Sequence, residues 1–500
     1  MTLRFGTDGV RGVANAELTP ELLLALGRAA ARVLGPGPFL VGRDTRWSGP
    51  MVLAALAGGL ASEGSDVVDL GVLPTPGVAW YSVAENLPAA AVSASHNSFE
   101  DNGVKFFTPG GRKLSDATET RLEAELDQLL GGGGALARPT GAEVGRIGAR
   151  ADTTPYLDAL VGTLDGRRLD GLRVVLDCAN GAASAVAPAI FRALGADVEV
   201  LHAEPDGRNI NEGCGSTHPQ PLQATVVRLG ADAGFAFDGD ADRVLAVDHA
   251  GALVDGDQLI AICAVDRQAR GLLPEDTVVV TVMANLGFRQ AMAERGIRVV
   301  DTKVGDRYVL EALENGGWAL GGEQSGHIIF RDLATTGDGV LTGVQVLDVM
   351  ARTGRPLAHL ASVMTRRPQV LRNLRVASRQ LDGADALWAE VRAVEERLGD
   401  RGRVLIRPSG TEAVIRVMVE AESSEDAEAA SDVLADAVVR ALGPGAGSVP
   451  ERRAGSVPER RAGSVPERGA GSVPERRDGS VPERHDGSVS ERHGGGPAVS

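Results

Sequence analysis

The sequence predicts an α/β protein of several domains: three α/β units of mostly parallel sheet, then a smaller α+β unit and a repetitive tail. Three observations carry this reading. The chain has 500 residues, too many for a single hydrophobic core. Short apolar runs alternate with helix-length segments, the pattern of buried strands joined by crossover helices. From Gly447 onward the unit Gly-Ser-Val-Pro-Glu-Arg recurs every eight residues.

In the first unit Thr19 and Pro20 read as an N-cap and a first helical position. Leu22, Leu23, Leu26, Ala30 and Val33 then supply an apolar helical face, which Gly35 closes. Phe39–Val41 is a short strand leading into Gly42-Arg43-Asp44-Thr45-Arg46, and a helix near 51–61 and a strand at Val67–Leu70 continue the pattern. Gly131–Gly134 interrupts the chain, and a boundary is expected near residue 150. The second unit opens with a strand at Leu172–Leu176 and the turn Asp177-Cys178-Ala179-Asn180-Gly181. A helix near 184–194, a strand at Val198–Leu201, a helix near 222–229 and a strand at Gly234–Phe237 follow. The third unit starts near Gly256, with strands at Val278–Thr281 and Arg298–Val300. The fourth, from about Pro368 to Gly443, alternates strand, helix, strand, strand and helix. Each tail repeat holds one valine and, except in the last copy where Ser490 stands instead, one proline, too little apolar surface to offset ordering entropy, so disorder is expected there.

The apolar share of 43% and charged share of 24% place the chain among soluble globular proteins. No stretch reaches the roughly 18 apolar residues of a membrane span. The start, Met1-Thr2-Leu3-Arg4-Phe5-Gly6, has no apolar signal core, so a cytoplasmic location is expected. Cys178, Cys214 and Cys263 are too few and scattered for a disulfide framework or a zinc site. A net charge of −16 argues against a nucleic-acid partner, while leaving room for small anions at a local arginine cluster. Only Lys105, Lys113 and Lys303 are lysines, so a lysine close behind a reactive serine stands out.

That serine belongs to Ser93-Ala94-Ser95-His96-Asn97, after the apolar run Ala89–Val92 and before Asp101-Asn102-Gly103-Val104-Lys105. It reads as a strand-to-loop site with Ser95 as nucleophile and Lys105, on the loop, as donor or proton carrier. Asp238-x-Asp240-x-Asp242 sets three carboxylates at alternate positions just past a strand. Hard oxygen ligands suit Mg²⁺, which also accepts a phosphate oxygen. An EF-hand loop is excluded, because Arg243 and His249 occupy its required Gly and Glu positions. Arg243 is suited to neutralising a phosphoryl oxygen beside the metal.

Arg407-Pro408-Ser409-Gly410-Thr411-Glu412 lies between two strands, with Arg416 in the second. Backbone N–H groups, hydroxyls and a guanidinium fork make an anion cradle. Glu323-Gln324-Ser325-Gly326-His327 offers acceptors and mixed donor-acceptors suited to sugar hydroxyls, and Arg11 and Arg43 add cations near the first sheet. There is no Gly-Lys pair for a nucleotide P-loop, and neither Ser93 nor Ser95 sits in G-x-S-x-G.

Taken with Phe5–Gly12 and Lys303-Val304-Gly305-Asp306-Arg307-Tyr308, these motifs resemble the α-D-phosphohexomutase superfamily, in its glucosamine branch, from Phe5 to about Leu442. The resemblance implies four domains around a cleft: three α/β domains with mixed sheets (1–150, 151–253, 254–367) and a smaller α+β domain (368–443). The tail, 444–500, has no counterpart. It implies Ser95 carried as phosphoserine and one Mg²⁺ held by Asp238, Asp240, Asp242 and a phosphoserine oxygen. Lys105 would be the general acid/base, with Arg11 and His327 as helpers and His96 and Arg243 also in the catalytic set. Glu323, Ser325 and His327 would hold the sugar, while Arg407, Ser409, Gly410, Thr411 and Arg416 would clamp the non-reacting phosphate.

The implied activity is an isomerase interconverting glucosamine 6-phosphate and glucosamine 1-phosphate through a bisphosphate, feeding cell-wall amino sugars. Mannose or glucose phosphates as substrates, or a metal-dependent sugar phosphatase, are the alternatives. No nucleic-acid or membrane partner is implied, and a homodimer is left open. Three residues depart from the family pattern. Ser98 replaces a proline and is expected to loosen the serine loop; Ala241 replaces a glycine and is expected to hinder a positive φ; Ala413 replaces a proline.

Overall fold

A computed structural model describes residues 9–35, 37–131, 138–378, 380–381, 383–408 and 414–443. All of these belong to one compact unit. The expected tail disorder, together with Ser409, Gly410, Thr411 and Ala413, lies outside the described residues.

The first helix, Pro20–Leu34, starts where its chemistry dictates: the Thr19 hydroxyl accepts from Leu22 N–H, and Pro20 occupies the first turn. Its apolar face packs with the helix Gly49–Ser62 against a seven-stranded mixed sheet. Strands Phe39–Arg43, Val67–Val72, Ala89–Val92 and Ile147–Ala149 run parallel. Strand Asp101–Thr108 inserts antiparallel between Ala89–Val92 and Val10–Val13. The Lys105 segment is therefore a strand and not the expected loop. Val104, Phe106 and Phe107 are buried around Lys105, and their packing outweighs the turn signal of Asn102-Gly103.

The second sheet holds Arg173–Asp177, Asp197–Leu201 and Ala233–Phe237 in parallel, with Val244–Asp248 and Leu253–Val254 added antiparallel. In the third, Thr277–Thr281, Arg298–Thr302 and Leu320–Gly322 are parallel and Ile328–Phe330 is antiparallel. Asp255 opens the helix Gly256–Ala269 with a capping box closed by Gln258. One apolar core passes through these three sheets, from Leu40 through Phe191, Phe235 and Val280 to Met364.

The fourth sheet is antiparallel, with Val414–Glu420 between Gln369–Arg375 and Arg403–Pro408. Helices Asp385–Leu398 and Ser424–Leu442 cover it around a core of its own. Its tie to the third sheet is polar: the buried Glu420 carboxylate accepts from Asn285 Nδ2 at 3.0 Å, Leu286 N–H at 3.1 Å and Arg403 Nε at 2.9 Å. Among the described residues no helix is long and apolar enough to cross a membrane.

Candidate active site

Ser95 leaves the C-terminal end of strand Ala89–Val92 with φ +52°, a left-handed conformation that costs a non-glycine residue about 1–3 kcal/mol. Hydrogen bonds from several directions hold it there. Ser95 N–H donates to Ser93 Oγ at 2.9 Å, and Ser93 Oγ–H donates to Asp44 Oδ2 at 2.7 Å. Asp44 also pairs with Arg46 Nε at 2.9 Å, with both side chains fully buried. Arg46 Nη2 then donates to the carbonyls of Ser95 at 2.8 Å and Asn97 at 2.9 Å. Its Nη1 donates to the carbonyls of Asp101 and Ser98. Asn211 Nδ2 reaches the same Ser95 and Asn97 carbonyls at 3.0 and 2.9 Å. These bonds tie the loop down through its backbone, the Ser98 carbonyl included. Arg46 and Asn211 carry no motif signal, because partners far along the chain define their roles.

Strand Ala233–Phe237 delivers the acidic loop against this serine. A side chain at Gly239 would place its Cβ 2.6 Å from the Ser95 carbonyl, so only glycine permits the approach. Ala241 takes φ +57° despite its methyl group. The expected hindrance is overridden by a turn bond and a tertiary one: Ala241 N–H donates to Asp238 O, and Gly339 N–H donates to Ala241 O, each at 3.0 Å.

Ser95 Oγ–H donates to Asp238 Oδ2 at 2.6 Å. Asp240 Oδ2 accepts from Thr75 Oγ1 at 2.6 Å and Lys105 Nζ at 2.8 Å, and Lys105 Nζ also reaches Asp242 Oδ2 at 3.1 Å. Donor oxygens of all three carboxylates lie within 4.8 Å of one another and are buried. Asp240 Oδ1 and Asp242 Oδ1 are buried without a hydrogen-bond partner among the described residues. Burial, then Asp242 and Asp240, push the Asp238 carboxyl well above its ordinary range. Burial also raises Asp242, but Lys105, His327 and Arg243 together outweigh it and hold that carboxyl low. Crowded, dry carboxylates with unpartnered oxygens fit a hard divalent cation.

His96 Nδ1 lies 3.1 Å from Arg243 Nη1 and 3.3 Å from Ser95 Oγ. Because a guanidinium only donates, Nδ1 accepts there. Burial, Arg243 and Arg11 lower the His96 pKa to about 4, so the ring is neutral near pH 7, and Arg11 joins the cluster through the same field. His327 is buried too, with Nδ1 3.7 Å from Asp242 Oδ2 and Nε2 3.2 Å from Asp306 Oδ2. It braces the acidic loop, whereas Ser325, in the same segment, is exposed. Burial lowers its pKa, but Asp306 and Asp242 outweigh that and raise it.

The Glu323–His327 loop is locked to the acidic loop, since Val244 N–H donates to Gly326 O at 3.1 Å. A Cβ at Gly326, whose φ is +91°, would lie 2.1 Å from Val244 O. Glu323 Oε1 accepts from Gly305 N–H at 3.0 Å, and Ser325 Oγ donates to Glu323 Oε2 at 3.4 Å. Arg407 and Arg416 stand directly opposite each other on paired strands. Partial burial and the neighbouring Arg416 depress the Arg407 pKa. The structure thus gathers Ser95, His96, Lys105, Arg11, the three aspartates, Arg243 and His327. Among the described residues, no hydrogen bond or ion pair joins the Arg407–Arg416 pair to that cluster.

Phosphoglucomutase/phosphomannomutase models match four segments: alpha/beta/alpha domains I, II and III at 2–130, 154–251 and 255–367, and the C-terminal domain at 371–437. Phosphoglucosamine mutase of Frankia alni is 54% identical over 459 residues, spanning 89% of this chain and 99% of that protein. The chain belongs to the phosphoglucomutase/phosphomannomutase family. It groups there with phosphoglucosamine mutases; that of Moorella thermoacetica is 54% identical across 85% of this chain and 96% of its own length. A solved phosphoglucomutase/phosphomannomutase family protein from Burkholderia thailandensis superposes with a TM-score of 0.75 at 27% identity, covering 88% and 98% of the two chains. N-acetylphosphoglucosamine mutase of Aspergillus fumigatus, solved with GlcNAc-6P and magnesium, shares the fold with a TM-score of 0.64 at 19% identity. It covers 88% of this chain and 96% of that one.

Proposed function

We propose that the protein interconverts glucosamine 6-phosphate and glucosamine 1-phosphate by way of phosphoserine 95 and a bisphosphate intermediate. The observation that carries this is Ser95 Oγ at 2.6 Å from Asp238 Oδ2, at the rim of a buried carboxylate triad. The names of the curated relatives point to the same substrate.

Phosphorylating Ser95 removes the proton that now bridges to Asp238 and sets about two negative charges against three carboxylates. Mg²⁺ held by Asp238, Asp240, Asp242 and a phosphoserine oxygen would supply the compensating charge and act as a Lewis acid on the phosphoryl group. Arg243 adds a second cation on the His96 side, and neutral His96 orients its guanidinium by accepting at Nδ1. Lys105 Nζ holds a proton between Asp240 and Asp242, where it serves the sugar oxygen that gains or loses the phosphoryl group. Glu323 and Ser325 accept sugar hydroxyls. Arg407, Ser409, Gly410, Thr411 and Arg416 hold the phosphate that does not react, so the bisphosphate exchanges its ends between the clamp and Ser95.

The test is a coupled assay on glucosamine, mannose and glucose phosphates, with inorganic phosphate release followed in parallel. Preferred turnover of glucosamine 6-phosphate without phosphate release supports the proposal. Preference for mannose or glucose phosphates moves the substrate, and stoichiometric phosphate release makes the enzyme a phosphatase.

A further inference from the structure

We propose that Asp177, His202 and Cys214 form a second metal site, built for a borderline divalent cation of the zinc class. This inference does not rest on the mutase reading. The scatter of the cysteines along the sequence argues against a zinc site, but the fold supplies the other donors: the three residues come from separate segments that meet at the C-terminal edge of the second sheet. Asp177 ends strand Arg173–Asp177, and His202 follows strand Asp197–Leu201, its parallel neighbour. Cys214 arrives on the loop before the helix Gln220–Leu229. In open α/β sheets, ligands collect at this edge.

A carboxylate oxygen, an imidazole nitrogen and the Cys214 sulfur lie within 4.8 Å of one another. His202 Nδ1 is 3.1 Å from Asp177 Oδ1, yet it is buried with no hydrogen-bond partner among the described residues. Two donors facing each other off the hydrogen-bond axis at this range have the spacing of adjacent ligands on one tetrahedral ion, about 3.3 Å for metal–ligand bonds near 2.0–2.1 Å. The backbone fixes Asp177 and His202. Asp177 accepts from Ala179 N–H through Oδ1 and from Gly215 N–H through Oδ2, each at 3.0 Å. His202 sits in the left-handed region at φ +49°, which histidine tolerates better than most residues, and its carbonyl accepts from Asn180 N–H at 2.6 Å.

The donor set separates this site from the aspartate triad. Three oxygens suit magnesium, whereas one sulfur, one nitrogen and one oxygen suit zinc or cobalt. Binding needs the Cys214 thiol to release its proton to solvent as the metal–sulfur bond forms. The His202 side chain is 32% exposed, which leaves a route in and a fourth position for water. An occupant also bears on the serine loop, since Asn211, three residues before Cys214, holds the Ser95 and Asn97 carbonyls.

The experiment is a Co²⁺ titration of the metal-stripped full chain in excess Mg²⁺. A near-ultraviolet thiolate-to-cobalt band is expected to saturate at one equivalent and to be displaced by Zn²⁺. It should vanish in Cys214→Ser, weaken by roughly tenfold or more in His202→Gln, and persist in Asp240→Asn. The His202→Gln arm decides the matter if Cys214→Ser fails to fold. Absence of the band, its survival in Cys214→Ser, undiminished affinity in His202→Gln, or its loss in Asp240→Asn would each overturn the proposal.

Discussion

Arg46 holds Ser95 by its backbone, donating from Nη2 to the Ser95 carbonyl at 2.8 Å while Asp44 grips its Nε at 2.9 Å. The nucleophile's strained φ is thus maintained by a buried ion pair 49 residues upstream in the chain. Arg46→Ala leaves the Asp44 carboxylate buried and unpaired, which should cost about 3–5 kcal/mol in chemical denaturation. Arg46→Lys should recover only part, because an ammonium cannot serve Asp44 and four carbonyls together. Equal stability of Arg46→Ala and wild type would show that the pair does not hold the loop.

Ser95→Ala should keep the fold and lose all turnover. Intact-mass analysis should show the covalent phosphate gone as well. Activity near the wild-type level would move the nucleophile to Ser93 or remove the covalent step.

Asp240→Asn should lower kcat by roughly 10²–10³ while KM changes little, because the lost charge acts mainly on the transferring phosphoryl group. Chelation should abolish activity and added Mg²⁺ restore it. Full activity after chelation would rule out the metal role.

Arg407→Ala should reduce kcat/KM, with a loss of about 2–5 kcal/mol in transition-state stabilisation, yet leave Ser95 able to carry phosphate. Arg407→Lys should rescue part of the loss, and deletion of everything after Gly445 should change neither parameter. A tail deletion as damaging as Arg407→Ala would bring the repeats into the site.

His96 gives a pH signature. Its folded pKa of about 4 lies below the unfolded 6.5, so between these values the unfolded chain binds more protons. The His96 contribution is complete above about pH 6.5 and is lost as pH falls toward 4. Asp338, raised by burial to about 6, acts in the opposite sense, so the informative quantity is the difference between wild type and His96→Gln. That difference in stability should shrink steadily from pH 7 to pH 4 in metal-free protein. A difference independent of pH would mean the ring is not held neutral.

The sequence by itself determined the succession of elements and the identity of the reacting groups. Caps such as Thr19-Pro20, short apolar strands and the order strand, helix, strand, strand, helix in the fourth unit are local signals, written within a few residues of where they act. The same holds for Ser95 and the alternating aspartates, whose chemistry resides in residue type and spacing. Tertiary structure alone decided what surrounds them. Lys105 looked like a loop residue, but Val104, Phe106 and Phe107 pull it into a central strand where Asp240 and Asp242 neutralise it. Ala241 looked unsuited to a left-handed turn, yet bonds to Asp238 and Gly339 hold it there. Asp44, Arg46, Thr75 and Asn211 carried no signal, since each acts on a partner 49 to 165 residues away. A buried charge depends on where its counter-charge ends up, and only the folded chain brings the two together.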